Sequence, residues 1–247
     1  MTIPDAVRTL ERELREIFGN RLQSLVIYGQ RSSGHGDGGS AGHDTHDAHH
    51  ATRTLIVADA LNADDLRACA LRVEAWHGAG LATPLFFAAH EFERSLDVFP
   101  LEFGAILADH TVVAGANPFA SLSVDAADLR RACEVQARSH LLHLREGFLE
   151  TRGRADASAV LIAQSAPAFA ALVTSIARLE GHATDDLASA ARHVERVLGT
   201  GNSAVGEVVK LSSAHDVPSA EGERLFAPYL EAVTRIVSYV DGWADGR

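Results

Sequence analysis

The chain reads as an α+β protein in two parts: a mixed α/β sandwich over residues 1–120, then an all-α, up-and-down helical bundle over residues 121–247. Three observations predict this. Strand-like apolar runs, LQSLVIY from Leu22 and TLIVAD from Thr54, occur only in the first half. They flank a glycine turn, GQRSSG, and a long polar loop. After Val124 such runs vanish; Ala, Leu, Arg and Glu dominate, and apolar residues recur every three or four positions, the period of a helix with one buried face. At 247 residues and 47% apolar content the chain has enough material for two cores.

The elements follow in order. Leu10, Leu14, Ile17 and Phe18 make the stripe of a first helix from about Pro4 to Phe18, with Thr2 as cap and Gly19 as stop. Leu25, Val26, Ile27 and Tyr28 are too continuous for a half-exposed strand and predict a central strand from Leu22 to Tyr28, covered on both faces. A second strand is predicted from about Arg53 to Ala58. Asn62 with Asp65 forms a capping box for a helix presenting Leu66, Cys69, Ala70, Val73 and Trp76 inward. TPLFFAA gives a third strand, His90 to Ser95 a short helix, the apolar run around Glu102 a strand, and Thr111 to Ala114 another extended piece. Beyond Val124, Leu129, Cys133, Ala137, Leu141, Leu144 and Phe148 line a long helix ending near Gly153. Further helices are predicted over Asp156 to Leu179, bent at Pro167, then Asp185 to Leu198, Ser203 to Ser213 and Ala220 to Trp243.

Composition narrows the function classes. A net charge of -11 argues against nucleic acid as a partner, because phosphate-tracking surfaces need clustered Lys and Arg. No apolar run approaches the length of a bilayer span, and the start MTIPDAVRTLERELREIF lacks the basic and apolar regions of a signal peptide. No membrane association and a cytoplasmic location are therefore expected. The two cysteines, Cys69 and Cys133, sit among apolar helical neighbours and are expected as buried free thiols.

Between Gly34 and Ala51 lies GHGDGGSAGHDTHDAHHA, without one bulky apolar side chain. Such a segment cannot bury a core and predicts a surface loop. It carries His35, His43, His46, His49 and His50 beside Asp44 and Asp47, a set of imidazoles and carboxylates suited to Zn²⁺, Ni²⁺ or Cu²⁺. The same composition also reads as a low-complexity expansion that binds transition metals without a purpose.

Strand, glycine turn, loop and returning strand resemble the nucleotide-holding segment of nucleotidyltransferases of the DNA polymerase β type. LDVFPLEF and the ending GANPF extend the likeness to about Phe119, similar to bacterial nucleotidyltransferase-like proteins. A helical bundle after such a domain resembles kanamycin-type enzymes and two-part nucleotidyltransferase/HEPN systems. The resemblance implies nucleotide binding at Gly29, Gln30, Arg31, Ser32, Ser33, Gly34 and Arg53, with a nucleoside triphosphate as partner and Mg²⁺ as cofactor of any active form. It implies Glu102 as a third metal carboxylate, with Asp97 competing for that role. It also implies Glu134 as the base acting on an acceptor hydroxyl, with Arg138, His140 and Arg145 near enough to meet phosphate. Each of these has a plain alternative as a solvated helix or strand residue. The family turn reads G-S-x-x-x-G and its second strand opens on an acidic pair. Here Gln30 replaces the serine, and the acidic positions fall on Ala51 and Arg53. The spacing of the HEPN ribonuclease signature is missing, since Arg192 and His193 are adjacent.

Three readings follow. The first is a nucleotidyltransferase-fold protein that has lost catalysis and keeps nucleotide or metal binding, or a regulatory role with a protein partner or a second copy. The second is an active Mg²⁺-dependent transferase using a small hydroxylated or protein acceptor. The third is a histidine-rich metal-binding module. On the third, the loop is expected to take up Ni²⁺, Zn²⁺ or Cu²⁺ with an affinity that fades as imidazoles protonate below about pH 6.5. Calorimetric titration of the intact chain against a variant lacking Gly36 to His50 checks this; equal uptake by both removes the loop from consideration.

Overall fold

The computed structural model describes residues 3–29, 51–184, 186–199, 204–214 and 216–243. It divides into two compact units, Met1–Ser123 and Val124–Arg247.

The first unit is built on a four-stranded sheet. Helix α1 (Asp5–Phe18) leads through a 3₁₀ turn into β1 (Leu22–Tyr28), and β2 (Arg53–Ala58) returns beside it. Both strands have the bounds their sequence predicts. Helices α2 (Ala63–Ala70) and α3 (Val73–Gly78), strand β3 (Leu85–Ala88), helices α4 (Ala89–Phe92) and α5 (Pro100–Ala108) and strand β4 (His110–Gly115) complete the unit. The strand order is β3-β2-β1-β4; β1 runs antiparallel to both neighbours and β2 parallel to β3. One face, carrying Leu25, Ile27, Ile56 and Ala58, packs with Val7, Leu10, Leu14 and Phe18 of α1 and with Cys69, Trp76 and Leu81. Side chains alternate along a strand, so Val26, Leu55 and Val57 look the other way, and they are buried as well. An aromatic cluster lies on that side: Phe87 meets Phe92 and Phe103, and Phe92 meets Phe119.

Polar ties fix the helices at the sheet ends. Asn62 and Asp65 form the predicted capping box. Asp65 also accepts a two-pronged bond from Arg21 at 2.7 and 2.8 Å, and that guanidinium holds its carboxyl below the usual range. The indole N–H of Trp76 donates to Glu13 at 2.6 Å. Two local expectations fail here. The chain breaks at Leu71 and Arg72 into α2 and α3, which swings Trp76 inward and leaves Leu66 and Ala70 exposed. The run around Glu102 is the helix α5, because Pro100 at its first turn presets a helical φ and Phe103 and Ile106 are buried at helical spacing. The first helix has Pro4 at its cap position, with no side-chain hydrogen bond; Thr2 lies outside the described residues.

Among the described residues, five α-helices make the second unit: α6 (Ala126–Thr151), α7 (Ala155–Leu179), α8 (Leu187–Leu198), α9 (Ala204–Lys210) and α10 (Ser219–Asp241). Asp125 and Asp186 cap α6 and α8 through their carboxylates. Helices α6 and α7 form an antiparallel hairpin through the left-handed Arg152 and Gly153, with Leu161 against Gly147 and Phe169 against His140. Helix α10 runs antiparallel to α6, stacking Phe226 on Phe148 near one end and bonding Arg130 to the Val240 carbonyl near the other. Its approach to α7 is close enough that a Cβ on Gly222 would stand 2.5 Å from the Ala159 Cα. At 25 residues, α7 is long and apolar enough to cross a membrane by length and composition alone, so the expectation of no such segment fails. Its sequence is apolar all round because it is the helix against which α6, α8, α9 and α10 all pack. Cys69 and Cys133 are buried free thiols as expected, and burial pushes them up to about 11 and about 12.

At the centre of the bundle sits a polar chain. Tyr229, fully buried, donates its hydroxyl hydrogen to Ser165 at 3.2 Å, and Ser165 donates to the Ile162 carbonyl. The phenolic oxygen is thereby left to accept from His140 Nε2 at 2.6 Å. Burial, and to a lesser degree the nearby His143, push His140 down to about 4 from its ordinary 6.5. An unfolded chain takes up that proton near 6.5, so the native state binds fewer protons across the window between. This contribution to stability is complete above about pH 6.5 and is lost as pH falls toward 4. Urea unfolding at pH 7 and pH 4.5 is expected to show a stability loss about 2–3 kcal/mol smaller in His140→Gln than in the parent chain. An identical pH response in both chains removes His140 from the account.

Candidate functional site

The site is built at the end of β1, where the strand runs into Gly29. That residue has φ +68, a left-handed conformation that glycine adopts without strain. Its N–H donates to the carbonyl of Asp109 at 3.0 Å, which ties the end of β1 to the residue before β4. Directly paired residues on antiparallel strands share a face, and the register pairs Tyr28 with Arg53 on one side and with His110 on the other. A guanidinium, a phenol and an imidazole therefore stand in a row across β2, β1 and β4.

Each member has a defined environment. Arg53 is exposed at the first position of β2, and its Nη1 lies 3.8 Å from where a Cβ on Gly29 would stand. Thr54, the next residue, points to the opposite face and is fully buried, so Arg53 is the side chain this strand start offers outward. Tyr28 is half-buried; burial raises its phenol above the ordinary value, while the charge on Arg53 pulls it back. The Nδ1 of His110 lies 3.2 and 3.1 Å from the Ile106 and Leu107 carbonyls at the end of α5. With carbonyls as its partners, that nitrogen carries a hydrogen. The ring packs on Phe119, with centroids 4.8 Å apart.

Of the residues singled out from sequence, Gly29 and Arg53 come together here. Gln30, Arg31, Ser32, Ser33, Gly34, His35, His43, Asp44, His46, Asp47, His49 and His50 lie outside the described residues. Glu102 is exposed in the first turn of α5, and Asp97 is exposed just before that helix. Glu134 is half-buried on α6, where its carboxylate accepts from Arg130 at 3.0 Å and from Arg138 at 3.1 Å. Arg138 reaches Asp241 as well, at 2.7 Å. His140, expected near phosphate, is instead committed to Tyr229 in the bundle core. His193, beside Arg192, stacks on His182 with ring centroids 4.4 Å apart. Tyr28 and His110 were not legible as site residues, because what joins them to Arg53 is strand pairing between distant segments. A tyrosine ending a buried strand beside a glycine turn was the one local signal.

These residues do not fit a divalent cation. The Ala51 side chain carries no donor atom, and Arg53 sets a positive charge against Gly29. Among the described residues no three His, Cys, Asp or Glu side chains converge on a metal position. An exposed guanidinium at a strand start suits an anion instead.

No family model and no curated protein matches the chain by sequence. Among solved structures it is similar to spectinomycin adenyltransferase AAD(9) from Enterococcus faecialis, determined with ATP and spectinomycin. The TM-score is 0.55 over 94% of this chain and 98% of that one, at 10% identity. The fold is nucleotidyltransferase-like. The likeness holds for a mixed α/β domain with helices following it and, at this identity, concerns architecture alone.

Proposed function

We propose that this chain is a nucleotidyltransferase-fold protein that has lost nucleotidyl transfer and retains nucleotide binding through direct contact between Arg53 and phosphate. The observation that carries this reading is the Arg53 guanidinium packed against Gly29 at the start of β2. In an active enzyme of this fold, bound Mg²⁺ neutralises charge developing on the leaving pyrophosphate. Arg53 supplies a positive charge at a fixed place but neither polarises a nucleophile nor follows the leaving group. If the missing contacts are worth several kcal/mol, the rate falls by roughly three orders of magnitude or more, at ~1.4 kcal/mol per factor of ten. Binding survives that loss, because a guanidinium meets two phosphate oxygens at once and needs no cation between them. The similar adenyltransferase was determined with ATP, which supports a nucleoside triphosphate as the ligand class.

Calorimetry with ATP, in Mg²⁺ and in EDTA, tests the proposal. The parent chain is expected to bind ATP equally well in both. Arg53→Ala is expected to bind about 10- to 100-fold more weakly, the loss of one charged hydrogen-bonding group. The triple variant Gln30→Ser, Ala51→Asp, Arg53→Asp is expected to bind only when Mg²⁺ is present. Robust transfer of labelled AMP from ATP to spectinomycin or to protein by the parent chain overturns the proposal.

A further inference from the structure

Two hydrogen-bond donors stand side by side at the sheet end without a partner. Arg53 is exposed, and among the described residues no carboxylate lies within ion-pair distance of it, whereas Arg15, Arg21, Arg130 and Arg138 each meet one. Tyr28 is half-buried at the end of β1, and its hydroxyl bonds no described residue. The register pairs these two residues directly. Their Cα atoms are therefore about 5 Å apart, and both side chains leave the sheet on one face. The charge on Arg53 also acts on the Tyr28 phenol, so the two polar groups stand near one another as well as their backbones. The third member of the row is already committed: His110 gives its Nδ1 hydrogen to the Ile106 and Leu107 carbonyls. Asp109, the acid next to it in sequence, is buried.

We propose that Tyr28 is a second phosphate-binding residue, its hydroxyl donating to an oxygen of the same phosphate group that the Arg53 guanidinium engages. The inference rests on the reading that this site takes a nucleoside triphosphate without metal, and it names the second contact that holds the phosphate. A guanidinium meets a carboxylate through both carboxylate oxygens in one plane. A tetrahedral phosphate met in the same way keeps a further oxygen out of that plane, and a donor on the neighbouring strand is placed to reach it. A phenol suits this task. It donates a hydrogen bond without carrying charge, and burial lifts it above its ordinary value of 10, so it keeps its hydrogen throughout the neutral range. Pairing of β1 with β2 and β4 holds its backbone on both sides. The net charge of -11 opposes the approach of every anion alike, so selection lies in these short contacts.

Calorimetry in EDTA on the full chain, with ATP and with adenosine as probes, tests Tyr28→Phe. The substitution keeps the ring and removes the hydroxyl alone, so an unchanged circular dichroism melt is expected. ATP is expected to bind about tenfold more weakly, as for a lost hydrogen bond to a charged group, and adenosine with unaltered affinity. Placed on Arg53→Ala, the same substitution is expected to weaken ATP again, by roughly threefold or more. No additional loss on that background means that Tyr28 only braces Arg53, and it overturns the inference. An equal loss for adenosine assigns the hydroxyl to the nucleoside and also overturns it. Equal ATP affinity in the parent chain and Tyr28→Phe overturns the inference while the reading of Arg53 stands. A parent chain that binds no ATP overturns both.

Discussion

Strand β1 is the constraint on which the first unit rests. It is hydrogen-bonded along both edges, to β2 and to β4, and covered on both faces. A strand in that position cannot slip by one residue without exchanging its two buried faces, which fixes the register of everything beside it. The row of Arg53, Tyr28 and His110 follows from that register, since each is held at the same height by its neighbour's backbone. Gly29 then leaves the strand at a defined point, tied to Asp109. Whatever chemistry these three residues have is inherited from the hydrogen-bonded sheet that holds them.

The helical unit depends on a different balance. Its apolar surfaces are generous, but its centre holds a histidine, a tyrosine and a serine. Each hydroxyl and ring nitrogen in such a chain fixes the next, and an unmatched member buried among Phe169 and its neighbours would cost about 1–3 kcal/mol. Polar matching of this kind favours one arrangement of three helices over others with similar apolar contact.

Much of this was legible in the sequence, and where it was not the reasons are physical. Strands β1 and β2 were fixed by continuous β-branched and leucine runs, and α2 by the Asn62–Asp65 capping box. The run at Pro100 to Ile106 misled because four to eight continuous apolar residues fit a buried strand and a buried helix alike. The break after Ala70 was invisible because Leu66 and Ala70 fit a helical stripe, and the indole–carboxylate bond that turns Trp76 inward joins residues 63 positions apart. Arg53 could be found by counting along a strand. Its neighbours could not, because pairing partners are set by the whole sheet and not by local spacing.

Two glycines outside the candidate site carry a different consequence. A Cβ on Gly115 would stand 1.8 Å from the carbonyl oxygen of Gln23, and one on Gly222 would collide with the backbone of α7. Every amino-acid replacement reachable from a glycine codon by one base change adds at least that atom, so both positions are closed to gradual change. A catalytic carboxylate faces no such barrier: once the reaction ceases to matter, it can drift to alanine or arginine while the backbone stays as it was. Close backbone contacts of this kind therefore hold a fold in place more durably than any exposed side chain can.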